Sequence, residues 1–169
     1  MDTNEEYRIL LIESDEAEAD ATRAALANTK GQAFSVEWVR DLSAGVDRLN
    51  TGHIDAVLLD LSLSDSQGPA PFEQLRQGTP HVPILILCDV GDESLAMTAV
   101  ERGAQDCLLK THCDSFSLGF ALRNMIERAA GAEALFIEKE RADVTLNSIG
   151  DAVTSTDMAG QITIYTNIG

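Results

Sequence analysis

The chain has 169 residues, 44% of them hydrophobic and 24% charged, with 28 acidic side chains against 12 basic ones and a formal net charge of -16. Such a chain is long enough for one full domain plus a remnant, and its charge argues against a nucleic-acid interface, which needs clustered Lys and Arg. No apolar run reaches membrane-spanning length, and the acidic start Met1–Glu6 lacks the basic region of a signal peptide, so a cytoplasmic protein is expected.

In chain order, Arg8–Glu13 is an apolar run ending in a carboxylate. Ser14 and Asp15 are good helix caps for the Ala-rich stretch Glu16–Asn28, which Gly31 closes. Phe34–Val39 predicts a second strand. Leu42–Asn50 predicts an amphipathic helix, capped by Asp41 or Ser43 and stopped by Gly52. Ala56–Asp60 is apolar up to its last residue, the grammar of a strand buried on both faces that delivers an acid at its end. A loop, Ser62–Gly68, leads to a short helix over Pro71–Arg76. Pro83 introduces the strand Ile84–Cys88, and Asp92 or Ser94 can cap a helix to Arg102 that Gly103 stops. Cys107–Lys110 is the fifth apolar run, and a long helix is expected from Asp114 toward Ile149.

Five strand–helix units in alternation predict an α/β protein: a doubly wound parallel sheet of flavodoxin-like (βα)5 type, strand order 2-1-3-4-5. Ligands in such sheets bind outside the carboxyl ends of the strands, at the point where the order reverses. Glu13 and Asp60 then face each other across that point, with Lys110 reaching in from the edge. A carboxylate pair there suits a hard divalent cation such as Mg2+. One carboxylate can also act as a nucleophile toward phosphorus, given a metal and a lysine to hold the transferring oxygens.

The three cysteines, Cys88, Cys107 and Cys113, show no metal or disulfide spacing and read as reduced, small core residues. His53, His81 and His112 each stand alone near a loop and read as surface residues. In the last helix, Leu118, Leu122, Met125, Ala129, Ala132 and Phe136 recur at spacings of four and three, a heptad seam that would serve a homodimer. Beyond it, Ala152–Thr156 and Gln161–Tyr165 flank Asp157–Gly160 as a hairpin.

From Arg8 to about Arg128 the chain resembles the receiver domain of two-component response regulators. The resemblance rests on Ile9-Leu10-Leu11-Ile12-Glu13-Ser14-Asp15, Asp55–Leu63, Pro83–Leu87 and Gly103–Lys110. It implies that Asp60 is the phosphoacceptor for a histidine kinase or phosphotransfer protein. It further implies that Glu13 is an acidic residue of a Mg2+ site, that Ser62 offers its backbone carbonyl to the metal, and that Lys110 contacts the phosphoryl group. Ser14 stands where the family usually has a second acid, a direct metal ligand, so metal affinity should fall. Cys88 replaces the family's switch Ser or Thr, and Cys107 its switch aromatic. Thr111 and Ser64 stand where prolines are frequent. Asp15, next to Ser14, is expected to serve the helix cap instead.

The tail resembles the opening of a PAS sensor domain, on Ala142–Val153 and Thr156–Thr163. The resulting division is a receiver over 6-128, a helical linker and candidate coiled coil over 129-150, and a truncated PAS-like start over 151-169. Downstream PAS and output domains are the partners this implies, with no nucleic acid and no membrane. Two functions remain open: a phosphorylated receiver signalling through its last helix, at most catalysing its own phosphorylation and dephosphorylation, or a degenerate pseudo-receiver used for dimerisation and interaction without phosphate. A nucleotide-binding enzyme is disfavoured, because Glu13-Ser14-Asp15-Glu16 would repel phosphate where a glycine-rich loop is needed.

Overall fold

The computed structural model describes residues 6–64 and 70–150, together with 154–156 and 162–164; beyond residue 141 it describes the backbone alone. Five strands, β1 (Glu6–Ile12), β2 (Ala33–Val39), β3 (Ala56–Asp60), β4 (Ile84–Cys88) and β5 (Asp106–Leu109), form one parallel sheet in the order β2-β1-β3-β4-β5. Between and after them run α1 (Glu16–Ala27), α2 (Leu42–Thr51), α3 (Ala70–Gly78), α4 (Glu93–Glu101) and α5 (Ser115–Gly150). The expected architecture and strand order are those observed.

The apolar runs work because side chains alternate across the sheet and both faces are covered. Leu10, Ile12, Val57 and Leu59 join one core with Leu42, Phe72, Leu75, Ala96 and Ala99 from α2, α3 and α4. Ile9, Leu11, Leu58, Leu85 and Leu87 join the other, with Ala19 and Leu26 of α1 and Leu118, Leu122 and Met125 of α5. All five residues of β3 and of β4 are buried.

Two caps form as expected: the Asp15 carboxylate accepts the Glu18 N–H at 3.0 Å, and Asp41 accepts that of Ala44 at 2.7 Å. Asp92 occupies the cap position of α4 without a side-chain cap bond, and Ser94 lies inside the helix. Gly103, at φ +111°, supplies the left-handed residue that turns the chain from α4 toward β5. Helix α3 runs longer than the expected Pro71–Arg76. Strand β5 stops one residue before the expected end, and Lys110 opens a 3-10 turn, Lys110–His112.

The heptad seam needs correction in its first half. Leu118, Leu122 and Met125 are buried against this chain's own sheet, so no partner helix can reach them. Phe136 and its neighbours Leu135 and Ile137 are exposed. The chain divides into two compact units, one ending at Ala129 and the other beginning at Ala130. In the second, β6 (Thr154–Thr156) pairs antiparallel with β7 (Ile162–Ile164), Thr156 opposite Ile162; the connection, 157–161, lies outside the described residues, as does the loop segment 65–69. Among the described residues no helix is long and apolar enough to cross a membrane.

Candidate functional site

The carboxyl ends of β1, β3, β4 and β5 carry the site. Ile12 is level with Leu59 across β1 and β3, so the next residues, Glu13 and Asp60, come side by side at the rim. Both are buried, at 2% and 1% exposure. A carboxylate so placed needs partners. Glu13 is fixed from three directions: its N–H donates to the Val39 carbonyl, its Oε1 accepts the Asp15 N–H at 2.9 Å, and its carbonyl accepts the Trp38 indole N–H at 2.8 Å.

Lys110 enters from the edge. Its Nζ lies 3.2 Å from Glu13 Oε2, 3.3 Å from Asp60 Oδ1 and 3.5 Å from Asp89 Oδ2, and it also pairs with Glu18. One ammonium therefore serves four carboxylates. Burial works against its charge, yet the pairs with Glu18, Asp60 and Glu13 outweigh that and raise its pKa. Burial pushes the Glu13 carboxyl up to about 7; the Asp60 charge adds to this, while the Asp15 N–H and Lys110 pull the other way.

Asp60 differs from Glu13 in one respect. Its Oδ1 is buried and accepts no hydrogen bond; the Lys110 ammonium lies within ion-pair range but outside hydrogen-bonding geometry. Carboxylate oxygens of Glu13, Glu18 and Asp60 all lie within 4.8 Å of one another. Hard oxygen donors gathered at that spacing, one of them unsatisfied, fit a cation such as Mg2+.

Of the residues expected from sequence, Glu13, Asp60 and Lys110 are brought together. Ser14 is half-buried beside Glu13, and Asp15 is committed to the cap. Ser62 is exposed two residues past Asp60, between the buried Leu61 and Leu63. Cys88 is buried at the end of β4, its thiol 3.8 Å from the Leu108 carbonyl, and burial pushes its pKa up to about 11, so it stays neutral. All three cysteines are free, and the three histidines are exposed.

Two residues at the cleft escape a reading of the sequence, Glu18 and Asp89. Asp89 follows Cys88 directly, so the rule that strand ends carry the chemistry could have found it. Glu18 sits on the first turn of α1, where an acid ordinarily serves the helix end.

A family model described as "Response regulator receiver domain" matches residues 9–116. The transcriptional regulatory protein QseB of Haemophilus influenzae is 33% identical over 137 residues, covering 78% of this chain and 58% of that protein. The swarming motility regulation protein RssB of Serratia marcescens is 31% identical over 120 residues, covering 71% of this chain and 50% of that protein. The chain thus spans about half the length of the curated relatives it matches. Among solved structures, full-length FixJ from B. japonicum superposes with a TM-score of 0.67 at 26% identity, over 76% of this chain and 61% of that one. A putative response regulator from Chloroflexus aurantiacus shares the fold, with a TM-score of 0.65 at 23% identity over 73% of this chain and 99% of that one.

Proposed function

Because the chain belongs to the response regulator receiver domain family, we propose that Asp60 accepts a phosphoryl group from a histidine kinase or phosphotransfer protein. A single observation carries this reading: a buried aspartate at a strand end, with one carboxylate oxygen free of hydrogen bonds and a lysine 3.3 Å away. In the transfer, an Asp60 oxygen attacks phosphorus and an acyl phosphate forms as the bond from phosphorus to the donor breaks. With a phosphohistidine donor, the leaving imidazole takes up a proton. Lys110 is positioned to hold a phosphoryl oxygen, the role an ammonium plays in such sites. Bound Mg2+ would neutralise the phosphoryl oxygens, held by Glu13, Asp60 and the Ser62 carbonyl. Burial of Glu13 and Asp60 keeps water from competing with the acceptor.

The signal then passes along α5 to downstream domains, a coupling typically worth about 1–3 kcal/mol. The antiparallel β6–β7 pair and the sequence Ala142–Val153 support reading the tail as the start of a PAS domain. Exposed Leu135, Phe136 and Ile137 support a homodimer seam confined to the helix beyond Ala129. The alternative, a pseudo-receiver acting without phosphate, draws on Ser14, Cys88 and Cys107. It is not favoured, because Lys110 stands within ion-pair range of both Glu13 and Asp60.

The test is incubation with a small acyl phosphate and Mg2+ followed by intact-mass analysis. One added phosphoryl group is expected, absent in Asp60→Asn. No uptake by the wild-type chain would overturn the reading.

A further inference from the structure

We propose that Glu18, from the first turn of α1, is a ligand of the divalent cation together with Glu13 and Asp60, supplying the carboxylate that Ser14 does not. This deepens the phosphoacceptor reading and rests on it.

The geometry begins at the helix cap. With Asp15 capping α1, Glu18 is the third residue inside the helix. A glutamate at that position ordinarily reaches back to the N–H of the cap residue. Here the Asp15 N–H already donates to Glu13 Oε1 at 2.9 Å. Glu18 is thereby released from that role, and its carboxylate turns into the cleft to meet Lys110. Its backbone is fixed by the Asp15 cap, so what remains free is the swing of its side chain, 43% exposed.

The neighbouring residues leave a place for it. Ser14 offers only a hydroxyl, a weak ligand for a hard dication, and the Asp15 carboxylate is held at the helix end. Glu13 spends one oxygen on the Asp15 N–H. That leaves Glu13 Oε2, Asp60 Oδ1 and the Glu18 carboxylate, and ligand atoms of these three residues fall within 4.8 Å of one another. An independent sign that the cleft is built around something is Asp60 Oδ1, buried and without a hydrogen bond.

Charge supports the assignment. Glu13, Glu18, Asp60 and Asp89 place four carboxyl groups around the single charge of Lys110. A dication would offset most of the excess. Once it holds Glu18, Lys110 loses that partner and is freer to meet an incoming phosphoryl oxygen.

Magnesium chloride titration at constant ionic strength tests this, followed by calorimetry and by the fluorescence of Trp38, the chain's one tryptophan, bonded to the Glu13 carbonyl. Glu18→Gln is expected to weaken binding about tenfold or more, and adding Ser14→Asp to Glu18→Gln should recover it. Glu16→Gln, which removes a charge from the same helical turn at an exposed residue paired with Arg40, is the control for the general field and should change affinity less than about twofold. Equal affinity in wild type and Glu18→Gln would overturn the proposal, as would equal losses in Glu18→Gln and Glu16→Gln, or no Mg2+ binding by wild type. Parallel acyl phosphate labelling separates the two readings. Labelling of Asp60 with Glu18-independent metal binding sinks only this inference, and Glu18-dependent binding without labelling sinks only the phosphoacceptor.

Discussion

The Trp38 indole N–H donates to the Glu13 backbone carbonyl at 2.8 Å, tying strand β2 to the rim of the acid cleft. Arg40 stacks over the same ring, 4.8 Å from its centre. Trp38→Phe should therefore do two things. It should cost about 1 kcal/mol of stability in urea unfolding through the lost hydrogen bond. It should also loosen Glu13, lowering Mg2+ affinity in calorimetry while leaving the secondary structure intact by circular dichroism.

The raised carboxyl of Glu13 gives the metal-free protein a distinctive pH profile. Its ordinary value is 4.5, and in the fold it reaches about 7, first through burial. The folded state therefore binds a proton more tightly than the unfolded chain. Its contribution to stability is fully present below pH 4.5 and is lost as pH rises through about 7. The loss should be of the order of 3 kcal/mol. Urea midpoints of wild type and Glu13→Gln across this window check it: Glu13→Gln should lack that decline. Saturating Mg2+ should cancel the decline in wild type, since a cation favours the charged carboxylate.

Much of this is legible in the sequence, for a physical reason. A parallel sheet covered on both faces needs uninterrupted apolar strands, so a charged residue at the end of such a run stands out; Asp60, Glu13 and Lys110 all announce themselves that way. Glu18 does not, because an acid in a first helical turn satisfies a local rule and carries no mark of a second role. Only the Asp15 N–H bond to Glu13 shows that the local role is already filled. The heptad seam misleads for a related reason. Leu122 and Phe136 obey one periodicity, yet Leu122 is buried against the sheet and Phe136 is exposed. Spacing reports that a stripe is apolar and is silent on what covers it.

The two halves of that stripe should separate in experiment. Leu122→Ala should destabilise the receiver by about 2–5 kcal/mol, because it opens a hole in a packed core. Phe136→Ser should leave the unfolding of the sheet domain unchanged and shift sedimentation toward the monomer, if a partner helix covers it. A concentration-independent monomer in the wild-type chain would remove the homodimer from the proposed function without touching Asp60.

Lys110 and Asp60 set stability against function. With one ammonium among four carboxylates, Lys110→Met should be costly, about 3–5 kcal/mol, because charges are left buried and uncompensated. Asp60→Asn should act in the opposite sense. It removes a buried charge whose Oδ1 has no hydrogen bond, and it relieves the Asp60 field on Glu13. In metal-free buffer it should therefore gain about 1 kcal/mol in urea unfolding while losing all phosphoryl uptake. The pair should couple: Asp60→Asn combined with Lys110→Met should be more stable than the sum of the two changes predicts, by about 1 kcal/mol or more, since each removes part of the other's imbalance. Strict additivity in that double-mutant cycle would mean that Lys110 does not balance Asp60, and that the 3.3 Å pair plays no part in holding the cleft together.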